Sequence, residues 1–326
     1  MAELTMIAAL NRAMDEAMAA DEHVVILGED VGWDGGIFRA TDGLIQKYGE
    51  ARVIDTPLAE AGIIGTAVGM AFNGLKPIAE MQFSGFMYTA FHQIENHVAR
   101  YRYRTRGGLP VPMVIRAPYG AGVRALEHHS ESREAYWAHT PGLKMVIPST
   151  PRNARSLLLA AIDDPDPVIF YEPKASYRTF RQEVPEDPER AKIGQADVVR
   201  EGDAITLIAY GAMMPRVLKA AEQLAEADGQ EAEVVDVLTL APLDAATLVA
   251  SVEKTGRAVV VHEAARSYGP GAEICAQLVD RCFFSLEAPV ARVTGFDTPP
   301  PFFAREQMYL PTVERIVHAA RQTLAL

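Results

Sequence analysis

The sequence predicts an α/β protein built from two doubly wound domains. Three observations carry this. Short apolar runs of strand length alternate with amphipathic stretches of helical spacing in both halves of the chain. A polar stretch of weak periodicity, Lys174 to Asp203 with Pro185 and Pro188, separates the two alternating series. The chain has 326 residues, of which 49% are apolar, enough length and apolar surface for two cores. The expected division is a first domain over 1–185, a linker over 186–203 and a second domain over 204–326.

In the first half, Met6, Ile7, Leu10, Met14 and Met18 recur at helical spacing and predict a helix from Thr5 to Ala20. His23 to Leu27 reads as a buried strand ending in Gly28-Glu29-Asp30. Acids just past a parallel strand lie where open α/β sheets place their sites, though a solvated turn explains Asp30 equally well. Gly32 to Arg39 reads as a surface loop. Arg52 to Asp55 is extended and leads into Thr56-Pro57, where Thr serves as an N-cap and Pro as the first helical residue. The helix that follows carries Gly62, Gly65 and Gly69 among apolar residues. Each interior glycine costs roughly 0.5–1 kcal/mol relative to alanine, so another backbone or a ligand is expected to come close. Gly74 ends this helix, and Lys76 to Met81 is the next strand.

Met87, Ala90, Phe91, Ile94, Val98 and Tyr101 then predict one long helix that ends in the basic run Arg100 to Arg106. Val111–Ala117, Leu143–Ile147 and Val168–Tyr171 are the remaining strands of this half. Ser149-Thr150-Pro151 repeats the cap-plus-proline start, here for a helix over Ala154 to Ile162. Asp163-Asp164-Pro165-Asp166-Pro167 ends it, either as a plain turn or as a cation site built mainly from backbone carbonyls; it lacks the spaced acids of an EF-hand. In the second half, strands are expected at Ala204–Tyr210, Glu233–Val237, Arg257–Val261 and Val290–Val293. Helices are expected near Pro215–Ala227, Asp244–Glu253, Pro270–Arg281 and Pro311–Thr323.

Composition narrows the function. A formal net charge of −12 argues against nucleic acid as the main partner. Basic residues at the end of a helix are favoured by its dipole, so Arg100 to Arg106 reads better as a subunit contact. Cys275 and Cys282 show no metal-binding spacing and read as buried reduced thiols, which suits a cytoplasmic protein. The first residues resemble neither a signal peptide nor an Arg-rich transit peptide. No apolar run approaches the roughly 20 residues needed to span a bilayer, so no membrane partner is expected.

Two positions stand out for chemistry. Glu60 falls one residue late for a capping box with Thr56. It is either a first-turn acid favoured by the helix dipole or a carboxylate held in a glycine-lined apolar site to handle a proton. His128 and His129 are adjacent and so point in different directions. They are either surface-loop residues or include one imidazole that serves as acid or base. No GxGxxG follows a strand in the first half, and GxxxxGK[ST], GxSxG and HExxH are absent. Also missing is a Gly-Asp-Gly with a downstream Asn, the pattern that holds a diphosphate through magnesium; Gly202-Asp203-Ala204 does not match it.

Taken together these stretches resemble the β subunit of the thiamine-diphosphate-dependent 2-oxo acid dehydrogenases, the decarboxylating components of the pyruvate and branched-chain complexes. The resemblance covers essentially the whole chain. Its carriers are Leu27–Gly32, Arg52–Ala71, Met81–Phe86, His128–Ser132, Pro141–Pro151 and Arg292–Pro299. It implies a thiamine pyrimidine-binding N-terminal domain and a smaller, transketolase-like C-terminal domain. It implies a shared thiamine diphosphate, with the diphosphate and Mg2+ held by an α subunit in an α2β2 heterotetramer. The missing Gly-Asp-Gly is then expected.

The resemblance also implies roles. Glu60 matches the carboxylate that bonds the pyrimidine ring nitrogen, and Phe86 the aromatic that packs on that ring. Glu29, Leu58, Ala59 and Gln82 match other lining positions. His129 matches an acid/base histidine for acyl transfer to the lipoyl group. Met113, Ala161, Asp164 and Asp166 match a structural K+ site, with Asp166 departing from the Asn common in relatives. Expected partners are the α subunit and the dihydrolipoyl acyltransferase core with its lipoyl domain, docked at the C-terminal domain near Leu326. For substrate, Tyr171–Lys174 and Tyr101–Arg104 look more like branched-chain members, and Gln82–Phe86 and His128–Ser132 also fit bacterial pyruvate members. The expectation leans to a branched-chain substrate such as 2-oxoisovalerate, with pyruvate as the alternative and acetoin more distant. A docking subunit without chemistry is the reading of a different class.

Overall fold

Runs that read as continuously apolar are strands buried on both faces, as parallel sheets require. In the computed structural model, which describes residues 1–326, Val24–Gly28, Val114–Tyr119 and Val168–Pro173 are buried at every position. Together with Lys144–Val146, Lys76–Glu80 and Val53–Asp55 they pair in parallel. Their order across the sheet is Lys144–Val146, Val168–Pro173, Val114–Tyr119, Lys76–Glu80, Val24–Gly28, Val53–Asp55. The order reverses between Val24–Gly28 and Lys76–Glu80. In open α/β sheets ligands bind at such a reversal, outside the carboxyl ends of the strands.

The helix Met6–Ala20 forms as its periodicity predicts, with Met6, Ile7, Leu10, Met14 and Met18 all buried. Thr5 caps it by accepting the Ala8 N–H at 3.4 Å. A small antiparallel ladder joins Ala2–Leu4 to Gln182–Val184.

The chain divides into two units. One comprises Met1–Tyr119 and Tyr136–Ile193, the other Gly120–Ala135 and Gly194–Leu326. The second holds a sheet ordered Ala291–Thr294, Ala258–His262, Ile205–Ala209, Ala232–Asp236, Asp197–Arg200. All its neighbours are parallel except the last pair, which is antiparallel with a bulge at Val234/Val235. Its helices, Met214–Asp228, Ala245–Thr255, Pro270–Cys282 and Val313–Leu324, start and end within two residues of expectation. Asp244 and Thr312 cap two of them through the N–H groups of Thr247 and Arg315, each at 3.2 Å.

Two local readings are corrected and two others gain detail. Thr56-Pro57 does not start a helix: the helix is Glu60–Phe72, and its N-cap Ala59 supplies no side-chain bond. The Thr56 N–H instead donates to the Gly28 carbonyl at 2.9 Å, which prolongs the strand pairing and keeps the chain extended. The long helix after Phe86 is broken into a 3-10 stretch, Ser84–Ala90, a π-helical stretch, Gln93–Val98, and one α-turn, Tyr101–Arg104. The stretch expected to be linker contains the division between units at Ile193/Gly194, and its end forms the edge strand Asp197–Arg200. Finally, none of this chain's own atoms approaches the helix glycines closely. A Cβ at Gly65 or Gly69 would meet nothing within 4 Å, and one at Gly62 only the Ala59 Cβ at 3.5 Å.

Candidate functional site

Three neighbouring strands end at the reversal, and each delivers a predicted residue. Glu29 follows Val24–Gly28, Glu60 follows Val53–Asp55, and Gln82 and Phe86 follow Lys76–Glu80. Glu60 is the first residue of its helix and is only 8% exposed, so it is both a first-turn acid and a buried carboxylate. Thr89 Oγ1 lies 3.0 Å from Glu60 Oε2 and 3.0 Å from the Phe86 carbonyl. This hydroxyl shares its one proton between the two acceptors and so links the acid to the backbone of the aromatic. The Phe86 ring is half-buried and braced edge-on by Phe83, at 5.5 Å between centroids. Thr89 was not singled out from the sequence. The available signal is its position one helical turn after Phe86, where a threonine hydroxyl can bond back to a carbonyl.

Glu29 is buried beside this pair. Burial pushes its carboxyl above the ordinary value, and the charges of Glu60 and then Asp30 push it the same way. Neither Glu29 nor Glu60 forms an ion pair with a cation, so the two acids sit together without compensating charge. Asp30 is exposed in a turn, as the solvated reading has it, and its carboxylate accepts the Gln82 side-chain N–H at 3.0 Å. Asp55 fixes the loop below by accepting the Gly32 N–H at 2.6 Å and the Trp33 N–H at 3.3 Å. A Cβ at Gly32 would lie 2.5 Å from the same carboxylate, so only glycine fits there. Leu58 is 79% exposed and Ala59 is exposed as well, an apolar edge left open next to Glu60.

A second set of acids lies at the same end of this sheet. Arg116, buried, donates to Glu80 at 2.7 Å and to Glu172 at 2.6 Å, and Tyr177 donates its hydroxyl to Glu172 at 2.5 Å. Burial raises the Glu80 carboxyl, and Arg116 opposes that rise. Burial disfavours the Arg116 charge, but Glu172 and Glu80 more than offset it and keep the guanidinium charged.

His129 lies in the turn Glu127–His129, with its ring 4.6 Å from that of His128. Its segment, Gly120–Ala135, belongs to the second unit. Asp164 donates its N–H to the Ala161 carbonyl at 3.4 Å at the end of the helix Pro151–Asp163, Asp166 donates its N–H to Asp164 Oδ1 at 2.9 Å, and the Met113 carbonyl accepts the Val168 N–H at 3.0 Å. Lys144 Nζ lies 2.7 Å from both Asp164 oxygens and 3.4 Å from Asp166, which also pairs with Arg102. These carboxylates are thus already neutralised, and any cation there would depend on backbone carbonyls. No group of three or more His, Cys, Asp or Glu side chains is arranged to hold a metal ion. No helix is long and apolar enough to cross a membrane.

Comparison with known proteins bears on this geometry. Residues 2–179 match the family described as transketolase, pyrimidine binding domain, and residues 194–316 the transketolase C-terminal domain. The chain is 50% identical over 322 residues to a protein of Acholeplasma laidlawii named pyruvate dehydrogenase E1 component subunit beta, covering 99% of this chain and 98% of that one. Proteins of the same name from Staphylococcus epidermidis and Bacillus subtilis are 50% and 49% identical over 324 residues, covering 99% of each chain. A solved structure described as a split gene transketolase, inactive beta4 tetramer, superposes with a TM-score of 0.80 at 25% identity, over 100% of this chain and 99% of that one.

Proposed function

The chain belongs to the β subunits of the thiamine-diphosphate-dependent, lipoamide-using 2-oxo acid dehydrogenases, and on that premise we propose that its substrate is pyruvate and that its site is completed by an α subunit in an α2β2 heterotetramer. The branched-chain preference read from local stretches gives way here. Relatives at 48–50% identity over 99% of the chain carry the pyruvate name, and that outweighs likeness in two short segments.

The observation that carries the site reading is Thr89 bonded to both Glu60 and the Phe86 carbonyl at the sheet's reversal. These residues fit the pyrimidine half of thiamine diphosphate. Glu60 offers a buried carboxylate to a ring nitrogen, and Phe86 offers a flat apolar face. Glu29, Gln82, Leu58 and Ala59 line the same place. When bound, the cofactor supplies a nucleophilic thiazolium carbon. Glu60, held by Thr89 and beside Glu29, would bond that ring nitrogen and hold a proton there. His129 serves as general acid and base during acyl transfer to the lipoyl group. The diphosphate and its Mg2+ fall to the α subunit, since this chain has neither the motif nor a cluster of metal-binding side chains. A K+ ion at Met113, Ala161, Asp164 and Asp166 would have to be held by carbonyls, because Lys144 and Arg102 take up the two carboxylates.

The exposed stripe of Gly62, Gly65 and Thr66 on an otherwise apolar helix supports assembly with another chain, as does exposed Leu58. The acyltransferase core docks at the C-terminal unit near Leu326, which is exposed. The test is co-expression with the α subunit and comparison of kcat/KM for pyruvate and 2-oxoisovalerate. We expect no turnover by this chain alone and a preference for pyruvate in the tetramer. A preference for 2-oxoisovalerate would restore the branched-chain reading, and unaided turnover would refute the shared site.

A further inference from the structure

The segment that carries His129 is fastened to the second unit by acids far away in sequence. Ala121 donates its N–H to Glu263 Oε2 at 2.8 Å, a contact between residues 142 apart. Arg124 donates its N–H to both oxygens of Glu306 at 3.1 Å, across 182 residues. Glu134 Oε1 accepts the Tyr210 hydroxyl at 2.7 Å. Glu263, Glu306, Glu134 and Tyr210 are all buried, at 2%, 1%, 0% and 1% exposure. A buried backbone N–H left without an acceptor is costly, so a buried carboxylate oxygen that accepts it holds the segment in place.

The local backbone agrees with a segment held from outside. Arg124 has φ +59°, a left-handed conformation that a bulky side chain disfavours and that persists only when the surroundings enforce it. Its own N–H is the group that Glu306 grips. Gly120 has φ +86°, and a Cβ there would lie 2.6 Å from Glu263 Oε1. The segment is therefore pressed against Glu263 at its start, pinned by Glu306 at the strained residue and tied by Tyr210 at its end. His128 and His129 lie between these anchors. Within the segment, the Gly120 N–H reaches the Glu131 carbonyl at 3.0 Å and closes the loop on itself.

We propose that Glu306 and Tyr210 are positioning residues for His129: they set the place of the acid/base imidazole by holding the backbone on either side of it. This rests on the reading of His129 as the acyl-transfer histidine. It also assigns a task to the C-terminal unit beyond docking, since the anchors of the histidine belong to it.

The experiment uses the reconstituted heterotetramer and two assays. One follows decarboxylation with the dye 2,6-dichlorophenolindophenol as electron acceptor; the other follows acylation of a lipoyl domain. A misplacement of about 1 Å can cost on the order of 10²-fold. For Glu306→Ala we expect acylation to fall by about tenfold or more relative to decarboxylation. Glu306→Gln, which keeps an acceptor oxygen for the Arg124 N–H, should recover most of that ratio. Tyr210→Phe should shift the ratio the same way and decides the matter if Glu306→Ala does not assemble. Equal losses in both assays, or no change in the ratio, would overturn the proposal. His129→Ala is the control: if it leaves acylation untouched, the histidine's assigned role falls, and the proposal with it. If His129→Ala lowers acylation while both anchor variants behave as the parent, only the anchoring is wrong.

Discussion

Two pairs of buried acids stand at the same end of the first unit's sheet, and the chain treats them in opposite ways. Glu80 and Glu172 share Arg116 between neighbouring strands, and Tyr177 completes the set. Glu29 and Glu60 sit beside each other with no cation, and Glu60 is bonded by a threonine. All four are buried glutamates at one end of the sheet, so residue type and burial do not distinguish a brace from a reactive group. The counter-charge does. A carboxylate locked to a guanidinium is fixed in its charge, whereas one facing only a hydroxyl and another acid can bond a ring nitrogen or exchange a proton.

Breaking the braced pair should give the largest effect. Arg116→Met leaves two buried carboxylates unpaired and should destabilise the chain by about 3–5 kcal/mol. Thermal unfolding would show a large drop in Tm; an unchanged Tm would mean the pair is not the brace described here. Removing the hydroxyl from the other pair should matter less for folding and more for rate. Thr89→Val keeps the shape and should lower decarboxylation by about tenfold, the worth of one hydrogen bond to a charged group. Activity equal to the parent would separate Glu60 from Phe86 functionally.

The smallest effect should come from Glu29. Burial, then the charges of Glu60 and Asp30, holds its carboxyl above the ordinary value. The folded chain thus binds that proton more tightly than the unfolded chain, and stability falls as pH rises from the ordinary value through the raised one. Glu29→Gln removes this loss. Its Tm should depend less on pH across that window and should equal or exceed the parent's above it. A lower Tm for the variant at neutral pH would mean that Glu29 has a compensating partner, and the contrast with Glu80 would collapse.

The same contrast between local and distant causes explains what the sequence made legible. Thr150-Pro151 and Thr56-Pro57 are identical dipeptides. The first caps a helix as read, with Thr150 Oγ1 accepting the Asn153 N–H at 3.2 Å. The second is overruled because its Thr N–H is claimed by Gly28 of the neighbouring strand. The stripe from Met87 to Tyr101 is truly apolar inside, with Met87, Ala90, Ile94 and Val98 buried, but periodicity does not register a change from 3-10 to π winding. Glu60 and the strand-end Glu29 stand out from the local sequence, Gln82 and Phe86 only through the resemblance, and the four lie near one another because strand ends in this topology are neighbours. Thr89 escaped notice because its meaning depends on Glu60 in another element. The attachment of Gly120–Ala135 to the second unit has no local signal, since the acids that hold it lie far along the chain.

The division of labour at Glu60 is tested most directly by Glu60→Gln in the reconstituted heterotetramer, following deuterium exchange at the thiazolium carbon of bound thiamine diphosphate by NMR. A general acid or base contributes about 10²–10⁴-fold, so exchange should slow by that order while assembly and Tm stay at parent values. Exchange at the parent rate in a fully assembled Glu60→Gln tetramer would contradict the account.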